Sequence, residues 1–270
     1  MVAAVRTKEP IQKRLSMQVK GIAEDTTTLR SQDWDRDRFD IEFGLQNGTT
    51  YNSFLIRGEK VALVDTSHAK FREQYIAALK GEIDPAKIDY IVVSHTEPDH
   101  SGLIKDVLEL APNAIVVGAK VAIAFLEDLI HAPFERQILD LGNGHLLEFI
   151  NAPNLHWPDT IFTFDHKTSI LYTCDAFGAH YCTDETFDEN LAALSPDFRF
   201  YYECLMGPNA RSVVSAMKRM DKLNGEITTI ATGHGPLLRH NLGELTGRYR
   251  EWSQQKTNAE TLVAVFYVSD

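Results

Sequence analysis

A cluster of potential metal ligands lies in VVSHTEPDHSG, residues 92–102, directly after an apolar run. It places His95, Glu97, Asp99 and His100 within six positions. Because alternate residues of an extended chain face opposite sides, these four side chains can separate into two groups that flank a small cavity. The spacing therefore predicts a site for two metal ions rather than one.

Three more potential ligands lie at the ends of predicted strands or in the adjoining loops: His156 in NLHWPD, Asp175 in LYTCD and His234 in ATGHGP. Loops that meet at one edge of a sheet commonly form binding sites. If Asp175 bridges, each ion receives four protein ligands and keeps open positions for substrate or water, with the ions about 3.5 to 4 Å apart. The two predicted ligand sets are His95, Glu97, His156 and Asp175, and Asp99, His100, Asp175 and His234.

The donor types indicate which metal this site would hold. Imidazole suits zinc, copper and iron alike, but three carboxylates without a thiolate favour iron or manganese, particularly in a trivalent state. Two divalent ions against three carboxylates leave a net charge of about +1, which one hydroxide can neutralise. Glu97 carries most of the distinction, because a histidine there would give HxHxDH, the pattern of the dizinc hydrolases of the metallo-β-lactamase superfamily.

Any one of these residues, taken alone, is more often a surface charge or a packed core histidine than a metal ligand. The dense cluster, together with three later candidates in matching contexts, favours the metal site. Asp65, at the end of a predicted strand in ALVDTS, is predicted to orient one of the ligand histidines. The alternative for Asp65 is a solvated carboxylate that caps the next helix.

Other residues near the site receive no chemical role. His180 is predicted to be packed or on the surface rather than to line the pocket. Trp157 is predicted to pack against its loop rather than to conduct electrons. The remaining histidines sit among turn or surface residues: His68, His131, His145, His166 and His240.

Strands and helices alternate along the chain and position these candidates. KIDYIVVSH has the pattern of a buried strand that brings His95 to its carboxyl end, and Ser101 is predicted to cap the helix that follows. Hairpin turns are predicted near Gly58, at residues 142–144 and near residues 166–167. This order predicts an α/β sandwich of two mixed β-sheets flanked by helices.

The composition excludes several classes of protein. With 44% hydrophobic and 24% charged residues, the chain has the make-up of an ordinary globular protein. Its net charge of −11 repels phosphate backbones, so nucleic-acid binding is not expected. The N-terminal apolar run is too short for a secretory signal or a membrane span, and the three scattered cysteines are expected to be buried thiols in a reducing compartment. A cytoplasmic location is expected by default.

The ordered set HxExDH, His156, Asp175 and His234 resembles that of the flavodiiron proteins, also called A-type flavoproteins. The stretches SHTEPDHSG, NLHWPDT and TGHGP are similar to signatures of that family, and the similarity extends over roughly residues 30–270. Two further segments, DWDRDRFDIEFGLQNGTTYNSFLI and NAPNLHWPDTIFTF, resemble the branch found in cyanobacteria and other oxygenic phototrophs. The resemblance implies a metallo-β-lactamase-like αββα sandwich in which all seven candidates bind iron and Asp175 bridges.

The resemblance also divides the chain. Residues 1–30 would be an N-terminal extension, residues 31–260 the diiron domain, and residues 261–270 the start of a flavodoxin-like domain that would bind FMN. One departure is the interval between His100 and His156, which is several residues shorter than is usual in the family.

The function implied by the resemblance is reduction of O2 to water, or of NO to N2O, at two non-haem iron ions. Electrons would come from an FMN domain or a flavin reductase, and the intact protein would be a homodimer engaged in electron transport in a photosynthetic cell. The first alternative is a dizinc hydrolase of the same fold. The second is an assembly module whose metal serves only structure, although structural sites rarely keep open coordination positions.

Overall fold

Two mixed β-sheets pack face to face between layers of helices, as the sequence predicts. The structure is a computed structural model that describes residues 14–39, 43–120, 122 and 138–254. His131, to which the sequence analysis gives no role, lies outside these ranges. Among the described residues, no helix combines the length and the apolar character that crossing a membrane requires.

The first sheet is built mainly from the chain that precedes the HxExDH cluster. Its strand order is β1-β2-β5-β6-β7-β8, antiparallel from β1 to β6 and parallel from β6 to β8. The pair β3–β4 forms a separate short ribbon. The strands are β1 (Leu15–Ala23), β2 (Thr26–Asp33), β3 (Arg38–Phe39), β4 (Phe43–Gly44), β5 (Thr49–Arg57), β6 (Val61–Val64), β7 (Tyr90–Val93) and β8 (Ile115–Gly118).

The second sheet has the order β13-β12-β11-β10-β9, in which only β12 and β13 are parallel. The predicted turn between β9 and β10 is confirmed: Asn143 and Gly144 have φ of 51° and 87°, a left-handed pair that asparagine and glycine adopt readily. The strands are β9 (Ile138–Gly142), β10 (His145–Asn151), β11 (Ile161–Asp165), β12 (Ile170–Cys174) and β13 (Thr229–Thr232).

The described helices cover the outer faces of the two sheets. They are α1 (Arg72–Glu82), α2 (Pro98–Ser101), α3 (Ile104–Leu110), α4 (Leu191–Tyr201), α5 (Ala210–Met220) and α6 (Leu242–Ser253). A π-helical turn, Tyr202–Met206, follows α4. Helices α1 and α3 pack on the first sheet, and α4, α5 and α6 pack on the second.

The buried strands separate three apolar layers. In β7, Val92 contributes to the layer between the sheets, whereas Ile91 and Val93 face α1 and α3. This alternation follows from the two-residue period of a strand, and it explains why a strand buried on both faces is apolar at every position. The YIVV run is therefore both a core element and a rigid support for the cluster that follows it.

Residues 15–30, which the sequence analysis assigns to an N-terminal extension, form β1 and most of β2 within the first sheet. The boundary predicted after residue 30 thus falls inside β2. The polar residues of β2 are buried, and Arg30 shows how such a residue finds partners elsewhere: its guanidinium donates to Gln18 Oε1 at 2.6 Å and to the Glu185 carbonyl at 3.0 Å. Residues 261–270, predicted to start a flavodoxin-like domain, lie outside the described residues.

The predicted capping role of Ser101 is wrong. Ser101 is the last residue of α2, and its hydroxyl donates to the carbonyls of Thr96 and Glu97 at 2.7 and 3.0 Å. Helix α3 begins only at Ile104 and has no side-chain cap. The Ser101 hydroxyl therefore stabilises the turn that carries the ligands and does not cap the next helix.

The turns of two hairpins touch across the sheets, and this contact generates a stability prediction. A Cβ on Gly58 would lie 2.3 Å from the Leu141 carbonyl oxygen, which also accepts a hydrogen bond from the Lys60 N–H at 2.9 Å. Gly58→Ala is therefore expected to lower the free energy of unfolding by about 1–3 kcal/mol, because backbone must move to admit the methyl group. Chemical denaturation measures this. Gly81→Ala is the control, because a Cβ there meets nothing within 4 Å, and an equal loss in both variants would contradict the prediction.

Candidate metal centre

The seven predicted ligands converge at one end of the sandwich. The loop that carries four of them follows β7, Asp175 directly follows β12, and His234 lies two residues beyond β13. His156 enters from the loop between β10 and β11. The carboxyl ends of these strands meet at the same edge, which brings residues distant in sequence into one site.

The first group has Glu97 at its centre. Glu97 Oε2 lies 3.1 Å from His95 Nε2 and 2.9 Å from His156 Nε2. Asp175 Oδ2 lies 3.5 Å from His95 Nε2 and 3.7 Å from His156 Nε2. The four residues each offer a ligand atom within 4.8 Å of the others, which matches the first predicted set.

The second group contains Asp99, His100 and His234, whose ligand atoms also lie within 4.8 Å of one another. The Asp99 carboxylate approaches His100 Nε2 at 3.6 Å and His234 Nε2 at 3.4 Å. Asp175 Oδ1 lies 3.2 Å from His100 Nε2 and 3.3 Å from His234 Nε2. The two oxygens of Asp175 thus face different groups, which is the arrangement that a bridging carboxylate requires.

The donor set fits a pair of bound cations. Four atoms aimed into the centre are buried without a hydrogen-bond partner in the described part of the chain: both carboxylate oxygens of Asp99, Asp175 Oδ2 and His234 Nε2. Buried polar atoms are normally paired, and metal ions held between the two groups would satisfy all four. Iron accepts this mixture of imidazole nitrogen and carboxylate oxygen.

Two ligand histidines are oriented by partners behind them. His95 Nδ1 donates to Asp159 Oδ1 at 3.0 Å, and the other oxygen of Asp159 accepts from the Thr96 N–H and hydroxyl at 2.8 and 2.6 Å. His234 Nδ1 donates to the Thr50 carbonyl at 2.7 Å. Such contacts fix the ring so that Nε2 faces the metal. Sequence reasoning missed Asp159, although it stands three residues after His156 in the quoted NLHWPDT.

Asp65 is completely buried beneath the site, so the alternative of a solvated helix cap is wrong. Its Oδ1 accepts a hydrogen bond from the Ser94 N–H at 2.8 Å, and burial raises the pKa of its carboxyl to about 6. Ligand atoms of Asp65, His100 and Cys174 lie within 4.8 Å of one another. This proximity is compatible with the predicted orienting role of Asp65, which stays a prediction.

Polar residues of β5 hold the TGHGP loop in place. The Asn52 amide donates to the carbonyls of Thr232 and Gly235 at 2.9 and 3.0 Å, and the Gly235 N–H donates to the Thr50 hydroxyl at 2.8 Å. A Cβ on Gly233 would lie 2.7 Å from Cε1 of the His100 ring. Glycine at this position therefore allows the loop to pack directly against a ligand histidine.

The predictions for three other residues, His180, Trp157 and His145, have different outcomes. His180 is packed, as predicted, with Nδ1 2.9 Å from the Thr49 hydroxyl, but it also lines a cavity beside the site, which the prediction did not expect. The Trp157 ring stands edge-on to the His95 ring, with centroids 5.0 Å apart, and its packing role stays a prediction. The expectation that His145 is a turn or surface residue is wrong, because His145 is completely buried and its Nδ1 donates to Asp165 at 2.8 Å.

The carboxylates control the protonation of the imidazoles in the metal-free protein. Burial alone lowers the pKa of His95, but hydrogen bonds to Asp159 and Glu97 and the charge of Asp175 raise it to about 10. For His234, burial acts the same way, and Asp175 and Asp99 raise the pKa to about 10. Protons thus compensate the buried carboxylates where metal ions would otherwise do so.

Comparison with known proteins shows the family to which this chain belongs. The model of the ODP family beta lactamase matches residues 49–235, a range that contains all seven predicted ligands. This chain belongs to that family.

The relatives specify the branch within the family. Diflavin flavoprotein A 1 of Synechocystis is 63% identical over 98% of this chain and 47% of its own length. The metal-soaked Flv1 flavodiiron core from Synechocystis is 36% identical, with a TM-score of 0.83, over 90% of this chain and 62% of that one. Rubredoxin oxygen:oxidoreductase from Desulfovibrio gigas is 25% identical, with a TM-score of 0.83, over 88% of this chain and 62% of that one.

The predicted flavodiiron core with its metallo-β-lactamase-like fold is therefore confirmed. This core spans about half the length of the curated relatives it matches. Activities and partners of the longer proteins are accordingly matters for proposal.

The Asp159 contact generates a prediction for the flavodiiron core. Asp159→Asn is expected to weaken metal affinity about 10- to 100-fold, because the amide holds His95 less firmly and makes it less basic. Competition titration against a chelator measures the affinity. Asp165→Asn is a matched control, since Asp165 is also a buried carboxylate paired with a histidine, His145, but outside the site. Equal losses in the two variants would show that Asp159 acts only on stability.

Metal binding is also expected to depend on pH. His95 and His234, each with a pKa raised to about 10, are protonated at neutral pH in the metal-free core and must lose these protons to bind metal. Affinity should therefore increase as the pH rises from 6 towards 9, with about one proton released per imidazole. Calorimetric titration in buffers of different ionisation enthalpy counts the protons. A metal affinity that stays constant over this pH range would contradict the raised pKa values of His95 and His234.

Proposed function

We propose that this chain is the diiron catalytic core of a flavodiiron oxidoreductase that reduces O2 to water, NO to N2O, or both. The observation that carries the proposal is the position of Asp175, whose two oxygens face separate groups of ligands. A single bridging carboxylate with three more donors on each side is suited to two ions that act together on one small molecule. The ligands proposed are His95, Glu97, Asp99, His100, His156, Asp175 and His234.

The names of related proteins support an oxidoreductase. The Desulfovibrio relative is named as an oxygen oxidoreductase, and the Synechocystis core is named flavodiiron. These names apply to those proteins, and the transfer to this chain rests on the matching family and on the seven residues that converge here. Both substrates are small and uncharged, so selectivity between O2 and NO depends on details of the pocket.

The residues of this chain would hold, orient and shield the pair of ions. When bound, two ferrous ions would supply a binding place for the diatomic and one electron each. Glu97, Asp99 and Asp175 are hard anionic donors that stabilise a ferric state. The Tyr201 hydroxyl donates to Asp175 Oδ1 at 3.0 Å and fixes the orientation of the proposed bridge. The first group keeps an edge open to solvent, where the side chains of Glu97 and His156 are 14% and 16% exposed.

The electron count determines which partners are needed. Reduction of O2 to water takes four electrons, and two ferrous ions hold two for this reaction. A donor must therefore deliver electrons repeatedly, and an FMN domain or a flavin reductase is the proposed source. The proposed assembly is a homodimer of the intact protein, located in the cytoplasm, in which electron transfer between subunits becomes possible.

A dizinc hydrolase of the same fold is the alternative that the site favours less. Such enzymes activate water with zinc and need no change of oxidation state. Glu97 stands where the HxHxDH pattern has a histidine, and it lies between two imidazoles as a third anionic donor. This extra carboxylate supports iron over zinc.

A single-turnover experiment tests the proposed function. The 270-residue chain is loaded with iron, reduced without oxygen, and mixed with O2 or NO while Mössbauer spectra follow the oxidation state of the iron. We expect both ions to be oxidised in one event and gas consumption to stop when the iron is spent, because NADH alone does not reduce the site again. Iron that remains ferrous with both gases would refute the proposal, and sustained NADH oxidation without added reductase would refute the electron-supply argument.

Substitution of Glu97 tests the choice of metal. Glu97→His removes a hard anionic donor, so the ratio of iron to zinc bound from an equimolar ferrous and zinc mixture is expected to fall several-fold. Elemental analysis measures the ratio. Glu73→His, on the exposed side of α1, is the control and should leave it unchanged. An unchanged ratio in Glu97→His would mean that this carboxylate does not select the metal.

A further inference from the structure

A cavity of about 240 Å³ opens beside the metal centre, between the β4 segment and helix α4. Its mouth is formed by Gly44 and Leu45 on one side and by Pro196 and Phe200 on the other. Phe200 is 41% exposed, which is unusual for a phenylalanine of a helix that packs on a sheet. The cavity therefore begins at the surface of the protein.

The base of the cavity is deeply buried. It is formed by Tyr201 and His180, which are only 2% and 5% exposed. Their rings stand edge to face at 4.8 Å, and the His180 Nε2 has no hydrogen-bond partner among the described residues. The cavity thus narrows from an exposed aromatic rim to a pair of buried rings.

Both base residues touch proposed metal ligands. The Tyr201 hydroxyl donates to Asp175 Oδ1 at 3.0 Å, and the His180 ring lies 4.8 Å from that of His234. Asp175 is the proposed bridge, and His234 belongs to the second group of ligands. One layer of side chains therefore separates the base of the cavity from the centre.

We propose that this cavity binds the diatomic substrate, O2 or NO, before it reaches the iron pair. The inference deepens the proposed function and rests on it. Most of the wall is carbon, from Leu45, Pro196, Phe200 and the Tyr201 ring, and apolar cavities of this kind hold weakly hydrated atoms and molecules. The Asp197 carboxylate at the wall disfavours anions, so an uncharged gas fits better than a phosphate or carboxylate substrate.

The cavity gives the substrate a second route to the metal centre. The other open edge is the one where Glu97 and His156 are partly exposed and where Trp157 stands at the surface. An electron donor must come close to the metal ions, and a donor docked there would block that edge. A separate cavity behind Asp175 and His234 allows gas to be held while the donor is in place.

Filling the cavity tests the inference by kinetics. A Cβ on Gly44 meets nothing within 4 Å, so the backbone there accepts a side chain and Gly44→Phe adds a ring at the mouth. Leu45→Trp fills the wall independently. The second-order rate constant for NO or O2 with the iron-loaded, reduced protein, followed by stopped flow, is expected to fall about tenfold in both variants with iron content unchanged. Gly81→Phe, where a Cβ also meets nothing within 4 Å, is the matched control on α1 and should react at the original rate. Full rates in both cavity variants would overturn the inference.

Xenon binding tests the cavity without any reaction. Crystals of the metal-loaded protein under xenon pressure should show a xenon atom between Leu45, Phe200 and Tyr201, and it should be absent from Leu45→Trp crystals. Xenon bound elsewhere in the protein but not in this cavity would overturn the inference. If the unmodified reduced protein reacted with neither gas, the proposed function would fail, whereas the xenon result would still decide whether the cavity holds apolar atoms.

Discussion

Three carboxylates that face one site, with Asp99 and Asp175 buried and Glu97 partly exposed, are the constraint on which this structure depends. Glu97, Asp99 and Asp175 repel each other, and removing such charges from water costs several kcal/mol each unless positive charge compensates them. In the metal-free protein the compensation comes from histidines. Asp175 and Asp99 raise the pKa of His234 to about 10, and Asp159, Glu97 and Asp175 raise that of His95 to about 10. Two metal ions would provide the same compensation more completely, since each ligand would then offer a lone pair to a cation.

The fold provides this arrangement by placing rigid strands under every ligand. The apolar β7 strand carries the HxExDH loop, and the adjacent parallel strands β12 and β13 deliver Asp175 and His234 to the same edge. The polar β5 strand of the opposite sheet holds the His234 loop through Asn52 and Thr50. Both sheets thus contribute to the centre, so its geometry depends on how they pack.

The flavodiiron core is asymmetric around Asp175, the proposed bridge. The group of Glu97 and His156 is partly exposed, whereas that of Asp99 and His234 is buried behind Tyr201 and His180. An electron donor can approach only an exposed edge, while a small gas can also enter through a narrow cavity. This asymmetry would separate the route of electrons from that of substrate, so that both could be delivered at the same time.

The sequence by itself determined the class of fold and predicted the seven potential ligands that the structure brings together. Seven potential metal ligands follow apolar strands, and turns are marked by Gly58 and Asn143. These are local features of the sequence, and the strands between them are recognised by their two-residue period. The orienting role of Asp159, the burial of His145 and the inclusion of β1 and β2 in the sheet were decided only by tertiary structure. Asp159 contacts His95 only because the loop after β10 folds back against β7. Arg30 of β2 is buried with partners 12 and 155 residues away in the chain. Local pattern indicates which side chains can bind metal, but the partners that position them are set by contacts between segments far apart in the chain.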